Sequence, residues 1–178
     1  MDRYWFLTCR TYGTWLPGDE RGFVDPVIDE QGKRVVHNVP GTPVDEDNPR
    51  LRQYSRDIMT GEPVYLTSDQ SSALFAQLQE TARHRGWELL AVALLVNHVH
   101  LIVGVIGDPD PATLLRDFKS YGSRCLNGRW KTPVRRTWWA ESGSRRILRT
   151  EENVRDAIDY VFQRQRNPLL VWKANGRR

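Results

Sequence analysis

The stretch WELLAVALLVNHVHLIVGVI, residues 87–106, decides how the chain is read. Two apolar runs flank Val96 and Asn97, and each has the length and β-branched content of a buried strand. Two strands are expected, 87–96 and 98–106, joined by a tight turn that Asn97 fixes through its side chain. Strand residues two apart share a face. His98 and His100 therefore leave the backbone together, while Val99 and Leu101 point the other way. Two neutral imidazoles converging on a sheet surface are the start of a divalent-metal site. The pattern also fits two ordinary strand histidines, one paired with a carboxylate and one with a backbone carbonyl.

Working outward, RYWFLTCRTY at 3–12 reads as a first strand. Residues 13–63 are rich in Gly, Pro, Asp and Asn, with a short helix over 49–59. So long a segment without periodicity reads as a loop-rich insertion. Its opening, TYGTWLPGDERGF, makes Trp15 and Arg21 candidate ligand contacts. Thr67 or Ser68 caps a helix running to about His84, which Gly86 ends. Asp108-Pro109-Asp110-Pro111 turns into a second helix, 112–129, with Leu114, Leu115, Phe118 and Cys125 inward. Residues 138–148 read as a fourth strand, loosened by Gly143. Thr150 caps a last helix with the apolar stripe Val154, Ala157, Ile158, Val161 and Phe162. Asn167-Pro168 stops it, and the tail adds a short strand. The order β-α-β-β-α-β predicts an α+β, ferredoxin-like split βαβ fold with an antiparallel sheet and an extra C-terminal helix, in a single domain over 1–178.

With 39% hydrophobic and 27% charged residues, the composition is that of a globular chain, not a disordered one. Cys9 and Cys125 are too few for a disulfide framework and form no CxxC pair. No apolar stretch approaches the roughly 20 residues that span a bilayer, and the N-terminus lacks a signal-peptide pattern. A cytoplasmic location with no membrane partner is expected. The net charge of +4 leans toward polyanions, and arginine concentrates in the second half of the chain. Several of the seven tryptophans lie beside arginines, as in GRWKTPVRRTWW. Such interleaving suits single-stranded nucleic acid, although core tryptophans beside solvated arginines would look the same.

VNHVHLIV after a long strand, LLRDFKSYGSRCLN on a helix, WWAESGSRRI, and a last helix with DYV followed by NPL together resemble the single-tyrosine HUH transposases. The chain is most similar to the branch related to REP-associated tyrosine transposases. The resemblance covers residues 1–12 and about 64–172. It implies a DNA transposase or endonuclease that cleaves and rejoins single-stranded or hairpin DNA. A tyrosine attacks the phosphodiester, leaving a 5′-phosphotyrosine and a free 3′-hydroxyl. It also implies a His-bound divalent metal, Mg²⁺ or Mn²⁺, with manganese the better match to nitrogen ligands. Some members dimerise so that the tyrosine helix serves the other subunit's histidines, which makes a homodimer one expectation.

The family's nucleophile sits on the last helix, where Tyr160 in AIDYVF is the matching position. Helical geometry puts it roughly 130° from the centre of the apolar stripe, at its edge. Tyr121, in FKSYGSR, is the runner-up. The family commonly takes a third metal ligand, a glutamine, one turn after the tyrosine. Here position 164 is arginine, between Gln163 and Gln165. Gln163 falls about 60° from Tyr160, whereas Gln165 rotates onto the stripe, so Gln163 is the choice and a distorted last turn would bring in Gln165. Lys119, Arg124, Arg145 and Arg146 read as DNA phosphate contacts, and Glu141 as support for a histidine or half of an ion pair. Two other functions compete: a non-catalytic, domesticated nucleic-acid-binding module on the same fold, and a metal-dependent hydrolase using water.

Overall fold

Along the chain run β1 (Arg3–Thr11), β2 (Val27–Ile28), β3 (Arg34–Val35), α1 (Pro49–Asp57), α2 (Ser68–Arg85), β4 (Glu88–Leu94), β5 (His98–Val105), α3 (Pro111–Asn127), β6 (Trp139–Leu148), α4 (Glu151–Gln163) and β7 (Leu170–Lys173). They come from a computed structural model that describes residues 1–19, 27–28, 34–35, 48–133 and 137–175. The main sheet has the order β6-β1-β5-β4-β7, and every neighbour pair is antiparallel. Its first four strands follow the split βαβ order expected from the sequence, and β7 adds a fifth strand at the β4 edge. Among the described residues, β2 and β3 pair with each other and not with the main sheet.

Local chemistry sets the helix starts. Thr67 and Gln70 form a reciprocal capping box on α2, and Gly86 closes that helix at φ 68° in the left-handed region. Asp110 caps α3, with Pro111 at its first position, where no N–H is needed. The Thr150 side chain accepts from the Asn153 N–H at the start of α4.

Alternation along the strands divides the core in two. Trp5, Leu7 and Cys9 of β1 and Val99, Leu101 and Val103 of β5 face α2 and α3, packing with Leu74, Leu78, Leu114 and Phe118. Tyr4 and Phe6 of β1 and Ile102 of β5 face α4, packing with Val154, Ala157 and Val161. A register shift between Leu89 and Ala91 of β4 lets both Leu90 and Ala91 join the α4 side. On α3, Leu126 is buried where Cys125 was expected; Cys125 is half-buried with its thiol near the Ala73 carbonyl. The tryptophans resolve mostly as core. Trp5, Trp138 and Trp139 are buried in the larger cluster, and Trp87, Trp130 and Trp172 pack against it.

The segment leaving the 13–63 region docks back on the sheet. The Val64 N–H donates to the Tyr12 carbonyl at 2.9 Å and the Leu66 N–H to the Val96 carbonyl at 2.7 Å. Arg21, Arg135 and Arg136 lie outside the described residues. No described helix is long and apolar enough to cross a membrane.

Gly143 does more than loosen β6. A Cβ there would sit 2.6 Å from the Thr8 carbonyl oxygen and 2.5 Å from Leu115 Cδ2, so only glycine lets β6 approach β1 this closely. Gly143→Ala is expected to lower the unfolding free energy by about 1–3 kcal/mol, the usual cost of overpacking, read as a lower urea midpoint at unchanged m-value.

Candidate metal and nucleophile site

β5 lies between β1 and β4, so its register is held on both edges. His100 is directly across β1 from Thr8, and His98 from Arg10. Both histidines therefore project from the face that α4 covers. Their ring centroids are 4.7 Å apart, close enough to address one ion.

Each ring is oriented through Nδ1. His98 Nδ1 lies 2.7 Å from Asn97 Oδ1, and with the amide oxygen accepting, the proton sits on Nδ1 and the lone pair on Nε2. His100 Nδ1 lies 2.8 Å from Thr8 Oγ1, and with the hydroxyl accepting, the same tautomer results. This is how metal-binding imidazoles are commonly held. His100 is 8% exposed. Burial, and secondly the charge of neighbouring His98, push it down to about 3, so it is neutral, as a ligand must be. Among the described residues no group of three or more His, Cys, Asp and Glu gathers to hold a metal. His98 and His100 could offer a divalent ion two imidazoles, with amide, water or phosphate oxygens needed to complete the set, a mixture that would suit Mn²⁺ or Mg²⁺.

Asn97 has a larger part than turn formation. Its carbonyl accepts from the Thr11 N–H (2.9 Å), the Thr11 hydroxyl (3.0 Å) and the Thr14 hydroxyl (3.3 Å). The turn itself is closed by the Leu95 N–H donating to the His98 carbonyl at 2.9 Å. Sequence reasoning missed Thr8 as the partner of His100; its signal was parity, since Thr8 is in phase with Phe6 on β1. The Glu141 carbonyl accepts from the Lys119 ammonium at 3.0 Å, and the Glu141 charge acts on that same ammonium.

Of the two tyrosines, α4 brings Tyr160 to the histidines. Its ring lies 5.9 Å from that of His100 and 6.0 Å from that of Phe6, and Phe6 is 5.2 Å from His100. Tyr160 is 42% exposed, as a residue at the stripe's edge should be. All of these groups belong to one chain. Tyr121 lies on α3, across the sheet, with the guanidiniums of Arg124 and Arg85 at 5.2 and 6.0 Å from its ring centre.

Gln165 caps α4, its amide donating to the Tyr160 carbonyl at 3.0 Å. Gln163 is the last residue of the helix and exposed. The four expected DNA contacts divide. Arg146 is directly across from Phe6, on the histidine face, whereas Arg145 is across from Leu7, on the other. Arg124 shares α3 with Lys119, and the Lys119 ammonium donates to the Ala140 carbonyl at 2.7 Å. These bonds to β6 carbonyls tie α3 to β6, and burial lowers the Lys119 pKa. On the same side as Arg145, Cys9 is fully buried and its thiol is pushed up to about 12 by that burial, which leaves it unreactive.

No curated protein sequence matches the chain. Among solved structures, the chain is similar to a REP-associated tyrosine transposase bound to a REP hairpin, with TM-score 0.51 and 17% identity over 90% of this chain and 64% of that one. The chain thus spans less than two thirds of the length of that chain, and at this identity the likeness establishes the fold. It also matches the crystal structure of a candidate transposase from Deinococcus radiodurans, at 14% identity over 88% of this chain and 85% of the other; the TM-score of 0.41 carries no structural argument. The sequence profile of the IS200-like transposases matches residues 58–158, more than half of the chain. That span includes both histidines and stops two residues before Tyr160, whose place beside His100 comes from the packing of α4. The chain belongs to the IS200-like transposase family.

Proposed function

We propose that the protein cleaves and rejoins single-stranded DNA, presented at a hairpin, through a covalent 5′-phosphotyrosine on Tyr160. The observation that carries this reading is the Tyr160 ring 5.9 Å from a neutral, oriented His100 on the same chain. The Tyr160 oxygen attacks phosphorus, the bond from phosphorus to the 3′-oxygen breaks, and the phenolic proton ends on the released 3′-hydroxyl. The phosphoryl group stays esterified to tyrosine, so the bond energy is kept for rejoining. Attack by the phenol builds negative charge in the transition state, and Arg146, across from Phe6, offers a cation on the same face for it. A divalent ion held by His98 and His100, with Gln163 as the third protein ligand, would polarise the scissile phosphate. Thr8 and Asn97 keep the two rings in the binding tautomer. Arg124, Arg145 and Lys119 lie off the histidine face and have at most an outlying part in holding DNA. Tyr160 beside His100 of its own chain supports cleavage within one subunit.

Labelled hairpin DNA incubated with Mn²⁺ and run on a denaturing gel tests the reading. Wild type and Tyr121→Phe should give a DNA-linked protein band, and Tyr160→Phe and His98→Ala none. A band that followed Tyr121 would sink the assignment of the nucleophile. Nicking that survived Tyr160→Phe would point to hydrolysis by water, and tight binding without any adduct to a non-catalytic module. Separately, Thr8→Val should weaken Mn²⁺ binding by about 10- to 100-fold, the usual cost of losing the partner that orients a ligand histidine, in a calorimetric titration at unchanged Tm.

A further inference from the structure

Among the described residues, Trp15 is the one tryptophan outside both apolar clusters. The Arg10 guanidinium lies 4.1 Å from the centre of its ring, and Arg10 is directly across from His98 on the histidine face. The fold builds this pair into place. Thr11 and Thr14 are bonded to the Asn97 carbonyl. Gly13 turns the chain at φ 70°, where a Cβ would meet Met59 Cε at 2.2 Å. An indole and a guanidinium together are a nucleotide seat, the ring stacking on a base and the planar cation reaching a phosphate.

Position along the face says which nucleotide. Tyr160 contacts His100 and Phe6, whereas Arg10 stands at the His98 end of the pair. Displacement at phosphorus places the attacking and leaving oxygens roughly in line. A strand attacked from the Tyr160 side therefore releases its 3′-oxygen toward His98 and Arg10. We propose that Arg10 and Trp15 seat the nucleotide immediately 5′ of the cut, Trp15 stacking on its base and Arg10 holding its phosphate. The pair thereby keeps the released 3′-hydroxyl in place for rejoining. This assignment rests on the tyrosine-transfer reading and names residues for the half of the substrate that is not linked to the protein.

The test uses a hairpin oligonucleotide whose cut position has been mapped from the wild-type adduct. 2-Aminopurine is placed on the 5′ or the 3′ side of the cut and bound to the Tyr160→Phe protein in EDTA. Fluorescence quenching of the 5′ probe should be lost when Trp15→Leu is added and kept with Trp15→Tyr, the 3′ signal being unchanged. Affinity should fall by about 5- to 150-fold, the range for one aromatic stacking partner. With Trp15 intact, an abasic site 5′ of the cut should weaken binding more than one on the 3′ side, a comparison independent of how Trp15→Leu folds. Quenching that persists in Trp15→Leu, or equal abasic penalties on the two sides, would overturn the proposal while the wild-type adduct upheld the function. Absence of any wild-type adduct would overturn both.

Discussion

The register of β5 is the constraint on which the rest of the structure depends. This strand is paired along both edges, and its side chains alternate between two packed faces. A shift of one residue would carry His98 and His100 into the cluster around Phe118 and Leu7 and turn Val99 and Leu101 toward α4. Burying unpartnered imidazoles there while losing apolar contacts would cost several kcal/mol. Core packing and site geometry are thus selected by the same pairing.

Asn97 couples that register to the residues around it. Its side chain sets the tautomer of His98, and its carbonyl gathers Thr11 and Thr14. The β4–β5 turn, the end of β1 and the loop bearing Trp15 therefore meet at one residue. On the far side of β1, Gly143 allows β6 close to Thr8, the partner of His100. The two histidines are held by different neighbours, His100 by Thr8 on β1 and His98 by Asn97 in the β4–β5 turn.

The nucleophile candidate arrives by a different route. Val154, Ala157 and Val161 bury against the sheet, which sets the rotation of α4 and leaves Tyr160 at the margin of the contact. The same face logic separates adjacent arginines, Arg146 falling beside Phe6 and Arg145 over Leu7. Charge count could not make that distinction, because it depends on which residue of β1 stands opposite each.

Local signals in the sequence determined the elements. Alternating and continuous apolar runs, the Thr67 and Thr150 caps, Asp110-Pro111 and Gly86 act over a few residues, so helices, strands and their order were legible, as was the common face of His98 and His100. The spacing of the α4 stripe also indicated Tyr160 at its edge. Only tertiary structure decided what depends on partners distant in the chain. Thr8 meets His100 across 92 residues, Lys119 is drawn to β6 carbonyls, six tryptophans join or pack against the core, and Arg10 comes to stand across from His98 with its guanidinium over Trp15. Strand pairing brings such residues together, and a single sequence specifies which strands pair only through the packing of the whole chain.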